Sequence, residues 1–409
     1  MIKFTGIVAE YNPFHNGHKH QIEYLRSLGA EMVAVAMSGN FVQRGAPAWI
    51  DKYTRTQMAL SHGADLVFEL PTVYALSSAE HFAFGGISLL NALHMDSVCF
   101  GCETPSLPLL DSAAKLLQKE PVNYRQTLQG HLKAGASYPA AREAALRENM
   151  PELPPDFLSG ANNILALEYL KALRSTRSTM TPVSILRTDS GYHSTELSDG
   201  AFSSASAIRS SYKETKSLKD VSRALPEKVL TLLEDRSGRF GMETADFDTL
   251  LYYALRRAVR KGSLTHYGDM GEELANRIEK SLADYQNAET FILSLKRKNI
   301  TYSRICRCLF QLLLEIPSEY VNGTSHPVPY LRLLGMRRSR SSYLRRITEV
   351  PVLTKMADAW DILSDLPCPY AKDFLSIDLF AADLYRQVLL QKTGTLIPDE
   401  YHAGIVIID

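Results

Sequence analysis

Two imidazoles three residues apart, in His15-Asn16-Gly17-His18, are the side chains whose type and spacing best fit a chemical task. Phe4 to Ala9 reads as a strand, Glu10-Tyr11-Asn12-Pro13-Phe14 as a turn and Gly17 to Leu28 as a helix. A helix N-terminus offers unpaired N–H groups and the positive end of its dipole, so an anion such as a triphosphate is favoured there. His15 and His18 can donate hydrogen bonds to charge that develops during in-line displacement at phosphorus, as stabilisers rather than bases. Gly17 is expected to let ligand and backbone approach closely. With 11 His and 23 Gly in 409 residues, chance yields roughly 0.02 such motifs per chain. No Cys, Asp or Glu stands at HExxH spacing, so no metal site is expected.

A second segment, Ser203-Ser204-Ala205-Ser206-Ala207-Ile208-Arg209, suits closure over phosphates. Its hydroxyls, Ser206 among them, leave backbone amides free, and Arg209 offers a forked cation. A helix N-cap at Ser203 or Ser204 fits the same pattern. Asn40, Gln43 and Arg44 follow the second expected strand at the end where such sheets bind ligands. Asp51, Lys52 and Arg55 fit either contact with a substrate or nucleotide, or a solvated ion pair at a helix start. Glu80-His81, beside Phe82 and Phe84, reads as core or interface, while His94, His131 and His193 read as structural or exposed.

Positioning these groups requires a sheet. Apolar runs at Phe4 to Ala9, Met32 to Met37, Leu66 to Glu69, Ser97 to Phe100 and Val183 to Arg187 alternate with helical periodicity at Gly17 to Leu28, Arg55 to His62, Ser78 to Leu93, Leu109 to Lys119 and Asn163 to Ser175. That alternation predicts an α/β fold with a parallel sheet. Arg174 to Met180 and Asp189 to Ser203 read as loops. Beyond Tyr212 the pattern becomes helical: Leu225 to Leu233, Asp248 to Arg260, Glu272 to Leu295, Tyr302 to Leu314 and Ile377 to Gln391, with an edge strand at Ala403 to Ile408. The division predicted is 1–212 for nucleotide and 213–409 for a mainly helical domain.

Charge and composition set limits. Lys plus Arg equals Asp plus Glu at 45 each, so any attraction to nucleic acid must be local. Two clusters qualify: Lys296, Arg297 and Lys298 with Tyr302, Arg304 and Arg307, and the run containing Arg332, Arg337, Arg338, Arg340, Arg345 and Arg346 with Tyr343. Guanidiniums there would hold phosphates while the aromatics stack on bases, although a solvated helix face fits either cluster too. The chain begins with a strand pattern rather than a secretory leader and contains no apolar run near the roughly 20 residues that span a bilayer, so a cytoplasmic location without membrane attachment is expected. Five scattered cysteines predict reduced thiols, with Cys99 and Cys102 as small residues of a buried strand rather than half of a zinc or redox site.

The HxGH turn after the first strand, with the late Ser206-to-Arg209 segment, resembles the nucleotidyltransferase superfamily related to class I aminoacyl-tRNA synthetases. Gly6-Ile7-Val8-Ala9-Glu10-Tyr11-Asn12-Pro13-Phe14-His15-Asn16-Gly17-His18, Met37-Ser38-Gly39-Asn40-Phe41-Val42-Gln43-Arg44-Gly45, Asp51-Lys52, Asn162-Asn163-Ile164-Leu165 and Glu168-Tyr169-Leu170-Lys171 together resemble the bacterial tRNA(Met) cytidine acetate ligases along the whole chain. One departure is Ser159-Gly160-Ala161, where the family pattern leads one to look for a proline. The resemblance implies a Rossmann-like HxGH domain. It also implies ATP bound along Ile7, Val8, Ala9, Glu10, Tyr11, Asn12, Pro13, Phe14, His15, Asn16, Gly17, His18, Lys19 and His20, with Gly101, Asn162, Arg187, Ser206 and Arg209 as further contacts. The implied reaction activates acetate as acetyl-adenylate, with Mg2+ expected beside ATP, and acetylates N4 of the wobble cytidine in the anticodon of elongator tRNA(Met). The residues alone also allow a small-molecule nucleotidyltransferase or a non-catalytic nucleotide- and RNA-binding protein, and leave the donor acid and the oligomeric state open.

Overall fold

The computed structural model describes residues 2–187, 202–322 and 326–409, so most of the expected 189–203 loop, with His193, lies outside the described residues. Among the described residues there are ten strands: β1 (Phe4–Ala9), β2 (Met32–Ser38), β3 (Phe41–Val42), β4 (Ala46–Pro47), β5 (Leu66–Leu70), β6 (Ser97–Cys102), β7 (Thr181–Leu186), β8 (Leu331–Arg337), β9 (Val352–Leu353) and β10 (Val406–Ile408). Eight of them form one sheet in the order β10-β8-β5-β2-β1-β6-β7, with β9 beside β8. Strands β1, β2, β5, β6 and β7 run parallel, and β8 is antiparallel to β5. The short β3 and β4 form a separate hairpin.

Helices cover both faces, so the central strands are mainly apolar on both sides rather than alternating. Every residue of β2 is buried. Met32, Ala34 and Ala36 belong to the core beneath the Ala79–Ala92 and Ala161–Ser175 helices, whereas Val33, Val35 and Met37 face α1 (Asn16–Ser27) and α2 (Lys52–Ser61). The two-residue period of the strand therefore divides one apolar run between two cores.

The expected parallel α/β sheet is present, and the five strands anticipated in the first half stand within a few residues of their places. The expected boundary after residue 212 does not divide the sheet, because β8, β9 and β10 of the second half are hydrogen-bonded into it. β8 was hidden by its charge. Arg332 is 2% exposed and pairs with Glu69 of β5 and with Glu400, while Lys52 pairs with the same two carboxylates. Burial alone would raise the Glu69 carboxyl, but the Lys52 and Arg332 charges reverse that and hold it below its usual range. The helix expected over Glu272 to Leu295 is two helices, Glu272–Ser281 and Ala288–Leu295, because the Asn287 side chain accepts the Thr290 N–H at 2.9 Å and caps the second. Among the described residues no helix is long and apolar enough to cross a membrane.

Arg55, fully buried on α2, carries the greatest structural weight near the site. Its guanidinium donates to the carbonyls of Glu10 (2.7 Å), Ser38 (2.9 Å), Gly39 and Ile50 (2.9 Å). These acceptors end β1, end β2 and precede α2, so one side chain ties three segments. Each buried carbonyl left unpaired costs about 1–3 kcal/mol. Arg55→Met is expected to lower the unfolding free energy by roughly 3 kcal/mol or more, with Arg55→Lys intermediate, as read by urea denaturation.

Candidate active site

The turn after β1 is fixed before any ligand arrives. Arg55 holds the Glu10 carbonyl, Asn12 Oδ1 accepts the Trp49 N–H at 2.6 Å, and Phe14 is fully buried. Tyr11 adopts a left-handed φ of 50°, and the Asn12–Pro13 peptide is cis. The chain then enters α1 with His15 as N-cap. His15 Nδ1 accepts the Gly17 N–H at 3.1 Å, and His18 Nδ1 accepts the His15 N–H at 3.2 Å. Each ring thus uses its unprotonated nitrogen as a helix cap, which assigns the proton to Nε2 and turns that donor away from the backbone toward the cavity that both rings line. The rings stack at 3.7 Å between centroids. Burial, followed by the Arg187 and Arg209 charges, lowers His15 to about 3. Burial, followed by His15 and Arg187, takes His18 well below its ordinary value. Both are neutral donors at physiological pH. Gly17 lines the cavity, and a Cβ there would also meet the His15 ring at 3.0 Å, so the glycine makes room for the imidazole.

These rings form the floor of a 340 Å³ cavity at the carboxyl ends of β1 and β6. On the β6 side Gly101, Asn162 and Arg187 come together as expected, with Arg187 and Asn162 being the groups that a Cβ on Gly101 would approach. Glu103 accepts N–H groups from Asn162 and Asn163 and so caps the Ala161–Ser175 helix. Gly160 permits this, because a Cβ there would sit 2.6 Å from the Glu103 carboxylate, which accounts for glycine in the loop where a proline was looked for. Opposite, Glu10, Gln43 and Arg44 form the β2 side of the wall. Ser204 caps the Ala205–Thr215 helix, Ser206 lines the cavity, and Arg209 donates to the Asn12 carbonyl, joining the late segment to the histidine turn. Among the described lining residues Arg44, Arg187 and Arg209 are the cations and Glu10 the one carboxylate. The arrangement suits a polyanion held at a helix N-terminus with two neutral donors aimed at a phosphoryl group.

Val8, Ala9, Glu10, Tyr11, Asn12, His15, Gly17, His18 and His20 line the cavity, whereas Ile7, Pro13, Phe14, Asn16 and Lys19 do not. Ile7 points into the core by strand alternation, the Asn16 amide reaches the Arg223 carbonyl, and Lys19 pairs with Glu23 on the surface. Asp51, Lys52 and Arg55 are buried and do not line the cavity, with Asp51 capping α2. Phe82, Phe100 and Tyr169 add an apolar wall that sequence reasoning missed, since an aromatic residue facing a cavity has the same pattern as one facing a core. Cys99 and Cys102 are buried on β6, and burial pushes the Cys99 thiol up to about 12. Among the described residues there is no group of three or more His, Cys, Asp or Glu that could hold a metal ion.

The basic clusters separate. Lys296, Arg297 and Lys298 are exposed just before the Tyr302–Leu313 helix, where Arg304 pairs with Asp269, and the backbone of Cys306 and Arg307 lies against Gly45, next to cavity residues Gln43 and Arg44. Because β8 runs against β5, the second cluster emerges at the end of the sheet opposite the cavity. There Arg337 donates to the Leu60 and Ala64 carbonyls, Arg338 pairs with Asp409 and Arg340 with Asp65, while Arg345 is exposed.

The model of the HIGH Nucleotidyl Transferase family matches residues 2–396. A tRNA(Met) cytidine acetate ligase of Clostridium kluyveri is 39% identical over 99% of both chains, and one of Thermoanaerobacter sp. is 39% identical over 93% of this chain and 94% of its own. Thermotoga maritima TmcAL superposes with a TM-score of 0.90 in its apo form and 0.88 in a form bound with alpha-thio ATP, each at 28% identity over 99% of both chains. Matched along nearly all of its length, the chain belongs to the HIGH nucleotidyl transferase family and, within it, to the tRNA(Met) cytidine acetate ligases.

Proposed function

We propose that this chain is an ATP-dependent ligase that converts acetate to acetyl-adenylate and passes the acetyl group to N4 of the wobble cytidine in the anticodon of elongator tRNA(Met), releasing AMP and pyrophosphate. The observation that carries the reading is the pair of Nε2–H donors anchored at the N-terminus of α1 in a cavity with three guanidiniums. A carboxylate oxygen attacks the α-phosphorus, the bond to pyrophosphate breaks in line, and His15 and His18 donate to oxygens that gain charge. Ser206 and Arg209 hold the departing pyrophosphate, and Gly101, Asn162 and Arg187 hold the nucleoside end. The ATP analogue in the Thermotoga maritima relative supports ATP as the nucleotide. Mg2+ would accompany the triphosphate and neutralise phosphate charge, held mainly by the nucleotide itself, since the described residues offer no carboxylate cage. The reading implies a cytoplasmic enzyme.

Incubation with ATP, labelled acetate and total tRNA, followed by nucleoside analysis, is expected to put label in N4-acetylcytidine. A nucleotide retained on the product would favour a small-molecule nucleotidyltransferase, and failure to release pyrophosphate with any acceptor would leave a binding protein. His18→Ala is expected to lower turnover by about 10²–10³-fold, the usual effect of losing one preorganised donor, with the circular dichroism spectrum unchanged.

For tRNA contact, the first cluster is favoured because the helix that follows it, Tyr302–Leu313, lays the backbone of Cys306 and Arg307 against Gly45, next to Gln43 and Arg44. The second cluster, Arg337, Arg338, Arg340 and Arg345, is left to RNA remote from the modified base. Replacing Lys296, Arg297 and Lys298 together with alanine should weaken tRNA binding and reduce the slope of log K against log salt by about 1 per lost phosphate contact. Charge reversal at Arg337, Arg338 and Arg340 should do less, and the opposite ranking in a filter-binding titration would reassign the interface.

A further inference from the structure

The cavity has one feature that binding of a nucleotide does not explain. Its polar groups, from the helix N-terminus and the neutral donors to Arg44, Arg187 and Arg209, favour negative charge, yet among the described lining residues it also includes the carboxylate of Glu10. That carboxylate repels both the phosphates of ATP and an incoming carboxylic acid. It is also firmly placed, since Oε1 accepts the Gln43 N–H at 2.9 Å and the carbonyl of the same residue is held by Arg55 at 2.7 Å. A repulsive group fixed from two directions calls for a partner that donates hydrogen bonds.

Its position says when that partner arrives. The strand order reverses direction between β1 and β6, and in open parallel sheets the nucleotide lies over that crevice. Gly101, Asn162 and Arg187 flank the crevice on the β6 side, whereas Glu10 stands toward β2 with Gln43 and Arg44. With the α-phosphorus at the N-terminus of α1 between the two groups, the acyl end of an adenylate points at Glu10 and its nucleoside end points away. The group that must reach the acyl carbon is an exocyclic amine, and a carboxylate is the natural acceptor for the N4 amine of cytosine.

We infer, resting on the ligase reading above, that Glu10 is the catalytic base of the transfer step. The N4 nitrogen forms a bond to the acetyl carbon, the bond from that carbon to the AMP phosphate oxygen breaks with its electron pair leaving on AMP, and the N4 proton passes to the Glu10 carboxylate and then to water. Adenylation needs no such base, because acetate is already deprotonated.

The two half-reactions can be measured apart on the full-length protein. Glu10→Gln keeps an oxygen for the Gln43 N–H but gives up the base. Single-turnover transfer of acetyl from preformed enzyme-bound acetyl-adenylate to tRNA is expected to fall about 10²–10⁴-fold, the usual contribution of a general base. Acetate-dependent exchange of labelled pyrophosphate into ATP should fall far less, and Glu10→Asp should recover part of the transfer rate. Exchange falling as far as transfer, or a parallel rise in the ATP or Mg2+ concentration needed, would overturn the assignment by giving Glu10 to the nucleotide or its metal. Transfer within tenfold of wild type would also overturn it. Absence of acetate-dependent exchange in the wild-type protein would instead remove the ligase reading, and this assignment with it.

Discussion

A guanidinium with no access to water governs the architecture around the cavity. Removing Arg55 from solvent is costly, and the cost is met by four carbonyls that the fold must supply at set positions. Those positions lie at the end of β1, at the end of β2 and just before α2, so the geometry that satisfies Arg55 also fixes where the chain leaves the sheet. Beside it, Lys52 and Arg332 share Glu69 and Glu400, residues drawn from both halves of the sequence. The C-terminal strands are therefore part of the framework on which the N-terminal site stands.

From that framework the chemistry follows in short steps. The fixed turn delivers His15 to the N-cap of α1, where two backbone N–H groups claim the Nδ1 atoms of both histidines. Burial and neighbouring positive charge then keep the rings neutral. Neutrality has a use: two imidazolium ions would bind a triphosphate ground state tightly, whereas neutral donors already oriented can strengthen as charge develops on the phosphoryl oxygens. The guanidiniums at the rim supply the charge that draws in the polyanion.

Much of this was legible in the sequence, for identifiable reasons. The HxGH turn and the first five sheet strands of the N-terminal half have strong local signals, namely apolar runs bounded by turn residues and a helix-opening motif. Gly101, Asn162 and Arg187 were found through family resemblance, and the structure brings them to one side of the cavity although they come from separate elements. What escaped was decided at long range. β8 carries Arg332 in its interior and reads as part of a basic run until the carboxylates of Glu69 and Glu400 are placed beside it. Lys52 and Arg55 fitted either ligand contacts or a solvated ion pair, because nothing in their neighbourhood announces full burial. The basic clusters are similar in composition, and only the antiparallel course of β8 puts the second at the end of the sheet opposite the cavity.

The central claim is that the fold, not the ligand, sets the tautomer and charge of His15 and His18. Proton–nitrogen correlation NMR on protein labelled with ¹⁵N in histidine reads this directly, with His15→Gln and His18→Gln used to assign the signals. The account predicts that in the absence of nucleotide both rings are neutral with the proton on Nε2, and that both remain so from pH 8 to about pH 5, well below the ordinary histidine value of about 6.5. Protonation of either ring near pH 6.5, or a proton resident on Nδ1, would contradict it.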